Sequence, residues 1–213
     1  MSEDVAELII RAFETAYDTR KREHEPNSLA ISLVSDCALK CYYTYTLDLP
    51  PDPVNKALAM MGTLIHELIQ EQLIRHGYEA EKPVTIKLSE NLRLSGHVDL
   101  VNDETAIELK TVSRVPDKPY PKHVEQLNLY LHALGYDHGY LIYISRANAR
   151  IKSFRIDYSE SLAKHSLKKA KAIAKAIELK DPSVIPFELA NTDLCFFCPY
   201  KSICVGGDNN GVG

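Results

Sequence analysis

Leu92-Arg-Leu-Ser-Gly-His-Val-Asp-Leu-Val101, then Asn102-Asp103-Glu104, then Thr105-Ala-Ile-Glu-Leu-Lys-Thr-Val112 is the stretch that decides the fold. Its two halves are rich in branched apolar residues at strand spacing, and Asn102-Asp103 is a turn signal between them. The expectation is a hairpin. Asp99 closes the first strand. Glu108 and Lys110 stand two apart on the second and so project from one face. The short turn sets the strands side by side, where Asp99 and Glu108 can chelate one hard divalent cation through oxygen, the ligand type that Mg2+ and Mn2+ prefer. Lys110 beside them can position an attacking water, stabilise its deprotonated form and neutralise a phosphate in the transition state. Leu109 faces the other way, into the core, and its backbone carbonyl can complete the cation's shell.

Working outward, Val5, Leu8, Ile9, Ala12, Phe13 and Ala16 recur at helical spacing and predict a helix over 4–20, with Pro26 ending that region. A second helix is expected after Ser32, carrying Cys37 and Cys41 one turn apart. A loop at 49–53 and a third helix at 54–76 follow. That helix holds Gly62-x3-His66, and His66 is a candidate contact for the same cation. His66-Glu67 also opens a zinc-protease pattern, but Gln70 stands where that pattern needs a second histidine. A strand over 84–88 precedes the hairpin. A helix over 122–136 comes after it, where Gln126 and Tyr130, at i and i+4, share a face and could contact the phosphate and orient Lys110. Strands over 139–145 and 150–157, a helix over 159–179, and breaks at Pro182 and Pro186 complete the chain. This order predicts an α/β fold with a central mixed sheet flanked by helices.

The cysteines form a second pattern. Cys195-x2-Cys198-x5-Cys204 supplies three thiolates, one short of a tetrahedral site, and Cys37 and Cys41 are the two upstream candidates for the fourth. By geometry four thiolates suit zinc or iron equally. The expected organisation is a catalytic core over 1–190 and a small C-terminal segment over 191–213 that also uses Cys37, with a frayed tail from Gly206 to Gly213. The acidic N-terminus lacks the basic region of a secretory signal, and no apolar window reaches the ~18 residues of a membrane span. A cytoplasmic protein without membrane attachment is expected, in which cysteines bind metal more readily than they form disulfides. Net charge is −4, yet Thr111 to Arg155 holds seven basic residues against three acidic ones, and Lys164, Lys168, Lys169, Lys171 and Lys175 extend that region. Such a surface suits a polyanion.

The ordered series Gly62-x3-His66, Gly96-x2-Asp99, Glu108-x-Lys110 and Gln126-x3-Tyr130 resembles the RecB-like branch of the PD-(D/E)XK nuclease superfamily over roughly residues 32–157. The resemblance implies a restriction-endonuclease-like core. It implies catalytic roles for Asp99, Glu108, Lys110, Gln126 and Tyr130, and Mg2+ or Mn2+ held by His66, Asp99, Glu108 and the Leu109 carbonyl. It further implies an iron–sulfur cluster, most often 4Fe–4S and in some members 2Fe–2S, on Cys37, Cys195, Cys198 and Cys204. Cys41 falls where related proteins carry an aromatic core residue. A compact chain with flanking cysteines and no helicase module is similar to the CRISPR-associated RecB-like exonucleases. That likeness implies a metal-dependent deoxyribonuclease on single-stranded DNA or DNA ends, commonly 5′→3′, trimming prespacers with CRISPR integrase proteins as partners in antiviral defence. It leaves a homo-oligomer open. The alternatives are a repair or recombination nuclease working with a separate helicase, since the chain has no nucleotide-binding loop, and a non-catalytic iron–sulfur DNA-binding module.

Overall fold

The computed structural model describes residues 4–20, 25, 27–47, 49–190, 195 and 198–205. The expected stop at Pro26 and the tail from Gly206 lie outside them, as does most of the segment over 191–197. Helix α1 (Val5–Arg20) packs on α4 (Pro53–Ile74). Between them come a short strand β1 (Ser28–Ala30), a single turn α2 (Ile31–Val34) and α3 (Ala38–Thr46). The strands β2 (Glu79–Lys87), β3 (Arg93–Val101) and β4 (Ala106–Val112) follow, then α5 (Pro121–Leu134). The chain continues with β5 (His138–Ser145), β6 (Ile151–Asp157) and α6 (Glu160–Leu179), and α7 (Lys201–Val205) ends the described part. Helix starts are chemically marked. Asp52 accepts the Asn55 amide with Pro53 in the first turn, and Ser159 accepts that of Leu162.

The described strands form one mixed sheet in the order β1-β3-β4-β5-β6, with β2 pairing β3 as well. β2 runs antiparallel along β3, pairing from Arg93 to Val98 and at Leu100 and Val101 but not at Asp99, and takes one of its edges. Two strands share the other edge. β1 pairs in parallel with Arg93 to Ser95, and β4 pairs antiparallel at Leu100 and Val101. Among the described residues, Gly96 to Asp99 therefore have no strand partner on that edge. β5 lies parallel to β4, through the crossover helix α5, and β6 returns antiparallel. Leu94, Val98, Leu127, Leu131, Leu141 and Ile173 are fully buried between the sheet, α5 and α6.

Three expectations are corrected. Cys37 and Cys41 do not share a helix: Cys37 is the residue before α3, with extended backbone (φ −61°, ψ 131°), because the chain breaks between α2 and α3. Asp99 does not end its strand but lies two residues inside it. Lys169 is not on a basic surface. It is buried, and its ammonium meets Glu125 of α5 at 2.7 Å, an ion contact rather than a well-angled hydrogen bond. It also donates to the Asp36 carbonyl at 3.2 Å.

Breaking a buried ion pair leaves one charge dry and unpaired. Lys169→Met should therefore cost about 3–5 kcal/mol in denaturant melts, and adding Glu125→Leu should recover much of it. A single variant that melts with the parent would show the pair to be structurally idle.

Candidate active site

The open edge of β3 is where the candidate residues gather. A Cβ at Gly96 would stand 2.8 Å from a ring carbon of Tyr130, so glycine there lets α5 lay its tyrosine directly on the strand. Three residues on, Asp99 is nearly buried. Its Oδ2 accepts the backbone N–H of Leu109 at 2.7 Å, a bond across the two strands just where their pairing has lapsed. Its Oδ1 lies 3.2 Å from Nδ1 of His66 on α4. Gly62, one turn before His66, has Thr111 Oγ1 2.8 Å from where its Cβ would be, so α4 too approaches at glycine distance.

Glu108, Lys110, Gln126 and Tyr130 form one hydrogen-bonded group. Lys110 Nζ donates to Glu108 Oε1 at 2.7 Å and to Gln126 Oε1 at 2.9 Å. Gln126 Nε2 donates to Glu108 Oε1 at 2.7 Å and lies 3.2 Å from the Tyr130 hydroxyl. The Gln126 amide thus uses both ends to hold the lysine and the carboxylate in register. Glu108 Oε2 is buried with no hydrogen-bond partner. Burial, then the charge of Asp99, pushes the Glu108 carboxyl up to about 7 against the pull of Lys110 and His66. Burial opposes protonation of His66, but its bond to Asp99 and the charges of Asp99 and Glu108 outweigh that and raise its pKa. Burial, then Lys110 and Lys122, drives His123 down to about 3, so it stays a neutral imidazole beside the Tyr143 hydroxyl, 2.9 Å away.

Among the described residues no three His, Cys, Asp or Glu side chains close to ion-binding distance. The donor set nevertheless suits a divalent cation. Two dry carboxylates repel one another, one keeps an oxygen unpaired, and a histidine stands beside them. Two clefts flank the group. One, about 530 Å³, has Asp99, Glu108, Gln126 and Tyr130 on its wall together with Glu81 and His97. The other, about 450 Å³, holds His66, Lys110, Thr111 and Arg146 and no carboxylate. Arg146 is placed there by its backbone N–H, which donates to the Val112 carbonyl at the end of β4, and its guanidinium reaches the Leu58 carbonyl of α4.

Two residues at the site were not singled out in the sequence as site residues. Buried Gln70 donates its amide both to Glu81 Oε1 at 2.9 Å and to the Asp99 carbonyl at 3.1 Å. The signal for Gln70 was its i+4 spacing from His66. Glu81 had none, since it depends on an irregular backbone.

Away from the sheet, Cys37, Cys195, Cys198 and Cys204 are all half-buried free thiols, whereas Cys41 is fully buried in the core. Burial, then the nearby Cys198, Cys37 and Cys195, raises the Cys204 pKa, so those three sulfurs lie within electrostatic reach of Cys204. Burial alone dominates at Cys41 and pushes it up to about 12. Tyr200, between Cys198 and Cys204, stacks on Tyr43 of α3 with centroids 5.7 Å apart, docking the C-terminal segment beside Cys37.

Comparison with known proteins agrees with this layout. The crystal structure of SSO0001 superposes with a TM-score of 0.70 at 18% identity, covering 95% of this chain and 96% of that one. The alkaline exonuclease LHK-Exo from Laribacter hongkongensis superposes at 0.50 with 14% identity, over 78% of this chain and 93% of the other. Its complex with dAMP gives 0.51, 13%, 71% and 88%. At these identities the likeness is one of fold. No curated protein sequence matches. Among the described residues no helix is long and apolar enough to cross a membrane. The family model of the PD-(D/E)XK nuclease superfamily matches residues 72–205, well over half of the sequence, and the chain belongs to that superfamily.

Proposed function

We propose that the protein is a divalent-metal-dependent deoxyribonuclease acting exonucleolytically on single-stranded DNA in the 5′→3′ direction. The observation that carries the reading is the convergence of His66, Asp99, Glu108, Lys110, Gln126 and Tyr130 on one open strand edge of a nuclease fold. His66, Asp99, Glu108 and the Leu109 carbonyl would hold Mg2+ or Mn2+. Bound there, the cation supplies Lewis-acid polarisation of the scissile phosphate and acidifies water. Lys110, held by Gln126, would orient the attacking water and offset charge on the phosphoryl oxygens. Water attacks phosphorus, the P–O bond to the leaving nucleotide breaks, and the leaving oxygen takes up a proton. Tyr130 is kept protonated by burial, then by the charge of Glu108, and serves as a hydrogen-bonding wall rather than a base.

An iron–sulfur cluster on Cys37, Cys195, Cys198 and Cys204, of the 4Fe–4S or 2Fe–2S type, is part of the same proposal. Its support is the nearness of Cys37, Cys195 and Cys198 to Cys204, all four half-buried, and the family likeness. Such a cluster would tie residue 37 to the chain's last described turn. Prespacer trimming in CRISPR adaptation alongside integrase proteins is the biological role that the likeness favours.

Three outcomes are expected. Asp99→Ala or Glu108→Ala abolishes cleavage of end-labelled single strands with Mg2+ or Mn2+, and Lys110→Ala loses about 10²–10³-fold in kcat while still binding the cation. Full activity in Asp99→Ala would overturn the assignment.

The basic excess shrinks on inspection. Lys122 pairs with Asp36, Arg155 with Asp157, and Lys152 with the carbonyls of Pro116 and Asp117. Arg146, in the carboxylate-free cleft, is the basic residue best placed for phosphate. Arg146→Ala should lower the slope of log affinity against log salt by about 0.7, the value for one phosphate on a single strand, read by fluorescence anisotropy with Asp99→Ala protein. An unchanged slope excludes the contact.

Cys37→Ala should bleach the visible absorbance of anaerobically purified protein and lower its melting temperature, because ligation that joins distant segments contributes to folding. Cys41→Ala should keep the colour and cost about 1 kcal/mol as a small core truncation. Protein that holds zinc and never iron would refute the cluster.

A further inference from the structure

Glu81 lies on β2 opposite the catalytic aspartate. Ala80 faces Leu100 and Lys82 faces Val98, so the register sets Glu81 against Asp99. Pairing lapses at that one position because Glu81 has φ of +52°. Of the other non-glycine residues with positive φ among those described, Asn27 and Ala149 lie in turns and Lys180 caps α6. Glu81 is the one inside a strand. The left-handed region is unfavourable for a residue that bears a side chain, and such outliers persist where the surroundings over-determine them.

Here the surroundings are visible. Gln70, buried on α4 one turn after His66, donates to Glu81 Oε1 and, from the same nitrogen, to the Asp99 carbonyl. The amide fixes the Glu81 carboxylate relative to the Asp99 backbone. The result is a third carboxylate beside Asp99 and Glu108 on a cleft wall whose other acid, Glu25, is paired with Arg93. Lys110 and His66 already stand against Glu108 and Asp99, and a divalent cation would add positive charge where the carboxylates gather. An independent feature points the same way: Glu108 Oε2, on a residue only 4% exposed, has no hydrogen-bond partner. A dry, unpaired carboxylate oxygen is an acceptor kept for a ligand.

We infer that Glu81 is a third carboxylate of the catalytic centre and sets its affinity for the divalent cation, with Gln70 as its positioning residue. This rests on the reading that His66, Asp99 and Glu108 hold that cation. Asp99 and Glu108 are anchored through Leu109, Lys110 and Gln126, and Glu81 adds negative charge from the opposite strand.

The test is a titration of the full-length protein with Mn2+ without DNA, following free Mn2+ by electron paramagnetic resonance. Glu81→Gln keeps an acceptor for Gln70 and removes the charge. It should weaken Mn2+ about tenfold, while the melting temperature without metal stays level or rises. Glu81→Gly relaxes the backbone, so it folds at least as well, and should lose affinity to the same extent. Gln70→Leu should weaken Mn2+ by a smaller factor that vanishes in the Glu81→Gln background. Wild-type affinity in both Glu81 variants overturns the inference. Glu108→Gln separates this from failure of the underlying reading. If that variant binds Mn2+ like the parent, or the parent binds none, the centre itself is misassigned. If Glu108→Gln loses Mn2+ and the Glu81 variants do not, the role of Glu81 alone is wrong.

Discussion

One strand edge shared by two partners governs this molecule. β3 gives its second edge to β1 at one end and β4 at the other, and among the described residues the stretch between has no strand beside it. A sheet interior with unpaired backbone needs other donors and acceptors. The Asp99 carboxylate supplies one, taking the Leu109 amide that a continued ladder would have paired. The same interruption makes room for side chains from α4 and α5 to reach the strand. Gly96 and Gly62 set how close those helices come, through their contacts with Tyr130 and Thr111. The geometry of the candidate site is thus a consequence of sheet topology, and the two motif glycines are there for packing.

The hairpin was legible because alternation and a turn signal are local, and the Glu108-x-Lys110 spacing needs only the period of a strand. The Gln126–Tyr130 pair was legible for the same reason on a helix. What escaped depends on distant partners. β1 is three residues long and is a strand only because β3 lies beside it. Cys37 reads as helical beside Cys41, yet the chain breaks there and leaves it extended. Lys169 belongs to a lysine run that looks solvated, and only the packing of α6 on α5 buries it against Glu125. The basic excess was real as composition, but several of its members are consumed by neighbours. Glu81 could not be read at all, since a positive φ within a strand has no sequence signature when the residue is not glycine.

The electrostatics of the centre follow from burial more than from pairing. Glu108 receives two donors on one oxygen and is still pushed upward, because removal from water and the adjacent Asp99 outweigh Lys110. His66 shows the opposite balance: the carboxylates overcome burial and raise it. A site that holds the Glu108 carboxyl and the His66 imidazole both high is short of positive charge, which is the condition a divalent cation meets.

Helix α5 links this centre to the cysteine site. Gln126 and Tyr130 face the sheet opening, while Glu125, their neighbour in sequence, meets Lys169, whose ammonium also bonds the Asp36 carbonyl. Asp36 in turn accepts the Cys37 amide at 2.8 Å, and its carboxylate meets Lys122 in the first turn of α5 at 3.6 Å. The loop bearing Cys37 is therefore tied to α5 at two points, one turn apart. Interiors transmit such displacements because they are close-packed, so a shift of Cys37 is a shift of the helix that holds Lys110 in place. The loop before α3 need not touch the strand opening to matter to it; it is enough that Asp36 holds the first turn of α5.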